Sequence, residues 1–219
     1  MSSLLSTKPG LQAIKRKWQL HHLTDPAFRF MFEPPPPNEW VALDCQTTGL
    51  DLRKDEIISI EAVRIHGNRI MTSGRLELLV RPERGVSAKS VRFHQLRAQD
   101  LADGLPTDEA MKRLMYFIGS RPLVGYYLEF DIAMLERAIR PLLGIGLPQP
   151  RIEVSSLYYD YKLTLLPSHR QHGVPYIDLH FATIMDDLDL PQTVAHEPLD
   201  DAVRAALAFV KLRQLQGAA

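Results

Sequence analysis

The segment VALDCQTTGLD, Val41 to Asp51, is an apolar run that stops at an acid, Asp44, and passes into a turn containing Thr47, Thr48 and Gly49. An apolar run bounded by turn residues is the pattern of a buried strand. It delivers the Asp44 carboxylate to the edge of a core. Two residues on, Gln46 places a neutral amide where a second carboxylate would complete a pair. Whether this is a working metal site or a damaged one is the question the rest of the chain has to answer.

Upstream, residues 1–38 differ in kind. They carry AIKRKWQLHH, a basic stretch with one aromatic, and end at four consecutive prolines, Pro34 to Pro37, which make a stiff extended spacer. This part is expected to be a basic arm, either a helix packed on the surface or a contact for nucleic acid or a protein partner, with the main domain over 39–219. Downstream, EIISIEAVRIHGNRI is rich in β-branched residues and turns at HGN, and RLELLVRP gives a further strand stopped by Pro82. Three successive strands predict an antiparallel meander. After Ser87 the pattern becomes helical: SAKSVRFHQL, then TDEAMKRLMYFIGS with Thr107 as the expected cap. PLVGYY reads as a short buried strand with DIAMLERAIRPLL as a helix behind it. IEVSSLYYDYKLTLL passes from strand to helix, SHRQHGVP is a loop, and YIDLHFATIMDDLDL is again helical. PLDDAVRAALAFVKLRQLQ is a closing helix with Pro198 near its first turn. The expected fold is α/β, a mixed sheet of an antiparallel meander followed by parallel strands, flanked by helices.

The bulk properties narrow the class. The 219 residues suffice for one substantial core. The 26 Lys and Arg balance the 26 Asp and Glu, which argues against a generally basic nucleic-acid-coating surface while allowing a local grip on a strand end. Cys45 is the single cysteine, which excludes an internal disulfide framework and a Cys-rich zinc site. With no apolar segment of membrane-spanning length and no signal-like start, a cytoplasmic protein is expected.

Three separated acids stand at the edges of predicted elements: Asp44 after the first strand, Asp131 between a strand and a helix, and Asp201 opening the last helix, five residues after His196. Acids converging from several elements suit a hard divalent cation, which takes oxygen ligands and shares them with substrate phosphate. Two such ions can activate water and stabilise a leaving oxygen, with a histidine as general base. Each residue also has a purely structural reading. Asp200 and Asp201 favour a helix N-terminus, Asp131 can cap a helix, and His196 can bond to loop backbone.

Together, DCQTTGL, LVGYYLEFD and HEPLDDA resemble the three motifs of the DEDDh, or DnaQ-like, 3'-5' exonucleases, the family that includes the epsilon proofreading subunit of bacterial DNA polymerase III. The resemblance implies a ribonuclease H-like fold, two Mg2+ or Mn2+ ions, and removal of nucleotides from a single-stranded DNA or RNA 3' end in replication or repair. By the same resemblance Asp44 would bridge both ions, Asp131 would support the second through water, Asp201 would ligate the first, and His196 would be the general base. Thr47, Thr48 and Leu50 would border the terminal nucleotide, with His94 facing the pocket. Tyr126 and Tyr127 replace a usual His-Asn pair and would add an aromatic surface for a base.

Gln46 replaces the family's glutamate. It keeps one ligating oxygen, loses a full charge, and brings an NH2 donor that would face a cation unfavourably. A trapping mutation, a natural loss of activity, or compensation from a neighbouring element would each explain it. Glu61, in IISIEAV, occupies a position where the family usually has a small residue, and is the expected compensating carboxylate if it shares a face with Asp44. The alternative is an impaired exonuclease-fold module that binds nucleic acid or a polymerase-type partner.

Overall fold

A computed structural model describes residues 9–86, 91, 96–167, 176–191 and 201–217. One mixed sheet organises them. Its central strand is β1 (Glu39–Thr47), paired antiparallel with β2 (Ile57–His66), which in turn carries β3 (Arg69–Ile70) and β4 (Leu76–Leu79) antiparallel along its other edge. On the opposite side β5 (Leu123–Gly125) lies parallel to β1, and β6 (Arg151–Glu153) parallel to β5. The meander-then-parallel order expected from sequence is the order observed.

Val41, Ala42 and Leu43 are all buried because helices cover both faces of the sheet. Val41, Leu43 and Cys45 point to one layer, with Ile60 and Ala62 of β2, against the 3-10 helix Pro26–Phe32 and the helices α3 (Thr107–Ile118) and α4 (Leu128–Leu143). Trp40 and Ala42 point to the other, with Val63 and Ile65, against α5 (Val154–Leu165), α6 (Phe181–Asp187) and α7 (Asp201–Gly217). The described residues also include the helix α1 (Pro9–His22), the single turn α2 (Ala98–Leu101) and a short 3-10 turn at Thr72–Gly74.

Several local expectations are corrected. Asp44 does not end its strand: pairing continues to Thr47 opposite Ile57, with an irregularity between Gln46 and Thr47. Thr107 is the first residue of α3 and makes no side-chain cap; Pro106 holds the N-cap position. The helix expected from Asp131 begins at Leu128, after Tyr127 turns the chain in the left-handed region with φ 54°. Ahead of the prolines, Phe28, Met31 and Phe32 are buried in the first core layer, so the packing of the domain extends back past residue 39. Among the described residues no helix is long and apolar enough to cross a membrane.

Candidate active site

Residues directly opposite in an antiparallel pair project to the same face of the sheet. Asp44 lies opposite Glu61, and Gln46 opposite Ser59, so Asp44, Gln46 and Glu61 share the face that carries Trp40 and Ala42 lower down. The two carboxylates stand side by side at the end of the apolar layer, each half-buried. Glu61 is flanked on its other side by Glu77 of β4, which is ion-paired with Arg75. Gln46 Nε2 donates to Asp44 Oδ2 at 3.0 Å. The amide nitrogen that would oppose a cation is therefore turned onto Asp44, and offsets part of the charge gathered there.

Asp131 approaches the same place from α4. It is 4 % exposed, and its Oδ1 accepts the Cys45 N–H at 3.2 Å. That N–H lies beyond the β1–β5 ladder, whose register runs only through Val41 and Ala42, so the carboxylate satisfies a donor the short β5 leaves over. Burial, then the charge of Asp44, pushes the Asp131 carboxyl up to about 8, with the Cys45 N–H pulling the other way. The Cys45 thiol is raised by its burial and by Asp131, Asp44 and Glu61.

The capping expected of Asp131 is performed by Glu153. Its carboxylate accepts the N–H groups of Tyr127 at 3.2 Å and Leu128 at 2.9 Å, and also the Ser155 N–H at 3.1 Å and hydroxyl at 2.8 Å. One side chain thus tethers the N-termini of α4 and α5 to the end of β6. Sequence reading missed Glu153, although an acid ending a strand two residues before a serine is a cap signature. A groove of about 610 Å³ runs from Glu153 along β6, past Ile152, Ser156 and Tyr159.

The turn after β1 is cross-braced. Asp55 accepts the Thr48 hydroxyl at 2.8 Å and the Asp51 N–H at 2.7 Å, while Thr47 donates its hydroxyl to the Gly49 carbonyl at 2.7 Å. A Cβ on Gly49 would fall 2.5 Å from Asp55 Oδ2, so any larger residue would displace the carboxylate that braces the loop. Arg137 of α4 donates to the carbonyls of Leu52 and Asp55, fastening the loop to the helix that carries Asp131. The hydroxyls of Thr47 and Thr48 are spent inside the loop, whereas Leu50 is held out, 82 % exposed.

Tyr126 is a packing residue. Its hydroxyl donates to the Leu179 carbonyl at 2.9 Å, its ring stacks on Phe181 at 4.5 Å, and burial pushes its phenol up to about 12. The open aromatic surface belongs to Tyr127 alone of the pair, 71 % exposed. Asp201 occupies the first turn of α7 and accepts from Arg204 at 2.9 Å. His94 and His196 lie outside the described residues. Among the described residues no three His, Cys, Asp or Glu side chains are grouped closely enough to hold a metal by themselves.

The RNase_T exonuclease family pattern matches residues 41–209. The chain belongs to the exonuclease family. As an exonuclease-family domain it is 28 % identical over 176 residues to the PolC-type DNA polymerase III of Thermotoga maritima, a match that takes in 80 % of this chain and 12 % of that polymerase. It is 24 % identical to the DNA polymerase III subunit epsilon of Aquifex aeolicus, covering 79 % of each. The fold is shared with exonuclease X solved in complex with 5' overhanging duplex DNA, at a TM-score of 0.59 and 20 % identity, covering 81 % of this chain and 93 % of that one.

Proposed function

We propose that this chain is a divalent-cation-dependent 3'-5' exonuclease acting on single-stranded DNA or RNA ends at the carboxylate end of β1. The observation that carries the reading is the register that sets Asp44 opposite Glu61, with Asp131 fastened to the same strand through Cys45. The donors are all oxygen, as Mg2+ or Mn2+ requires, and one or two carboxylates completed by substrate phosphate are the usual complement for Mg2+. Burial and the neighbouring Asp44 drive the Asp131 carboxyl up to about 8, a setting that a bound cation would relieve.

In this reading Asp44 and Glu61 would hold the ions, the Gln46 carbonyl oxygen would add a neutral ligand, and Glu61 would supply the charge that Gln46 lacks. Asp131 and Asp201 would complete the set in the family's pattern. Bound ions would lower the pKa of the attacking water and stabilise the leaving oxygen. His196 takes the proton from that water as its oxygen bonds to phosphorus. The P–O3' bond breaks, the leaving oxygen takes a proton from solvent to become the 3'-hydroxyl of the shortened strand, and a nucleoside 5'-monophosphate is released. Leu50 and Tyr127 border the terminal nucleotide, one apolar and one aromatic surface that accept any base. By the family's pattern His94 would serve the same terminal nucleotide. Work beside a polymerase-type partner belongs to the same reading, supported by the similarity to a PolC-type DNA polymerase III and to a DNA polymerase III subunit epsilon.

The test is a time course on 5'-labelled single-stranded DNA and RNA in Mg2+ and in Mn2+, with the parent chain and Gln46→Glu. A ladder shortening from the 3' end with the parent supports an active site that works with glutamine. A ladder only with Gln46→Glu identifies the parent as an impaired exonuclease-fold binding module.

A further inference from the structure

We infer that the first turns of α1 form a second nucleic-acid contact, which grips a single strand at a distance from the site that cuts it. The inference rests on the reading that this chain acts on nucleic acid. From Ala13 to Trp18 every residue of α1 is exposed, including Ile14 at 67 % and Trp18 at 55 %. Of this stretch Arg16 turns back, its guanidinium 5.9 Å over the Phe32 ring; a helical segment otherwise this exposed is marginal by itself and is normally completed by something outside it.

The other end of α1 is anchored. Gln19 is buried and donates to the Gly146 carbonyl at 3.5 Å. The His22 carbonyl packs over Gly144, where a Cβ would come within 2.8 Å of it. Thr24 donates its N–H to Leu143 and its hydroxyl to Leu142, both at 3.0 Å. The exposed stretch is therefore held on the domain at a fixed place, with Arg16 over Phe32.

Their chemistry selects the occupant. Pro9–His22 contains Lys15, Arg16, Lys17, His21 and His22 and no acid, in a chain whose overall charge is balanced. The Trp18 ring is backed by His22, stacked at 4.1 Å, which fixes it as a flat surface. Cations interleaved with a pre-set aromatic face are what a single-stranded polyanion binds, through phosphates and base stacking together. The anchor is at the C-terminal end of α4, whereas Asp131 is in its first turn. At 1.5 Å per residue the two lie about 18 Å apart along the helix. A strand held at both places must be several nucleotides long, so the contact favours long over short substrates.

The experiment compares the full chain with Lys15→Glu/Lys17→Glu and with Trp18→Ala, by fluorescence anisotropy with labelled thymidine 4-mer and 20-mer single strands. Near-ultraviolet circular dichroism confirms the fold of each variant. The expected result is about a tenfold loss of 20-mer affinity for either variant with the 4-mer unchanged. The salt slope for the 20-mer should also fall by about two for the double charge reversal. Equal affinities for parent and variants at both lengths overturn the inference. A change of oligomeric state by light scattering, with oligonucleotide binding untouched, overturns it in favour of a second copy as the occupant. If the parent binds neither strand, the nucleic-acid reading itself fails.

Discussion

The two ends of β1 treat charge in opposite ways. At its start, Glu39 accepts from Arg121 at 2.6 Å, Arg64 of β2 donates to the Phe117 carbonyl at 3.0 Å, and Arg213 lies 4.0 Å over the Trp40 ring. Acids there meet guanidinium groups, and guanidinium groups meet carbonyls or aromatic faces. Five residues on, about 17 Å along the strand, Asp44 faces Glu61, Asp131 reaches the same strand through the Cys45 N–H, and the Gln46 side chain donates a neutral N–H to Asp44. The first arrangement holds a sheet together. The second gathers carboxylates at one place and, through burial first and the charge of Asp44 next, raises the Asp131 carboxyl to about 8.

Breaking the second end should cost function far more than stability. Asp44→Asn should abolish 3' shortening, a loss on the order of 10^4 in kcat, as removal of a central catalytic group does. Glu61→Gln should cost about 10- to 100-fold in activity or metal affinity, measured by metal titration of the nuclease rate. An unchanged rate for Glu61→Gln would remove it from the site and leave Gln46 uncompensated.

The pH response sharpens the contrast. The Asp131 pKa of about 8 in the folded chain lies above an unfolded value near 3.9, so between those limits the native state keeps a proton that the unfolded chain has released. Metal-free stability should therefore fall as pH rises from about 4 to about 8. Asp131→Asn should flatten that slope, read from denaturation midpoints at a series of pH values. Glu153→Ala, which frees the starts of α4 and α5, should cost about 1–2 kcal/mol of stability and lower activity through the displaced Asp131. At the other end of β1, Glu39→Gln should leave the nuclease rate unchanged and cost at most about 1 kcal/mol.

The strands were legible because β1 and β2 are covered on both faces and read as apolar runs. Asp44, Asp131 and the closing helix were legible as motif pieces. The face occupied by Glu61 was not, since alternation without register fits either side; the Asp44 to Glu61 pairing decides it. Glu153 and Arg137 act on backbone groups far away in sequence, Leu128 for one and Leu52 and Asp55 for the other, and no local pattern announces such contacts. The Gln46 amide was expected to oppose a cation, yet its donor found a carboxylate two residues away. Phe28, Met31 and Phe32 escaped notice in a short proline-bounded stretch without helical or strand period.

Calorimetric titration of Mn2+ into the parent chain and into Asp44→Asn tests the central claim most directly. The account predicts binding to the parent that strengthens as pH rises toward 8 and is lost in Asp44→Asn. No detectable binding to the parent, or equal binding to both, would contradict a cation site at the carboxylate end of β1.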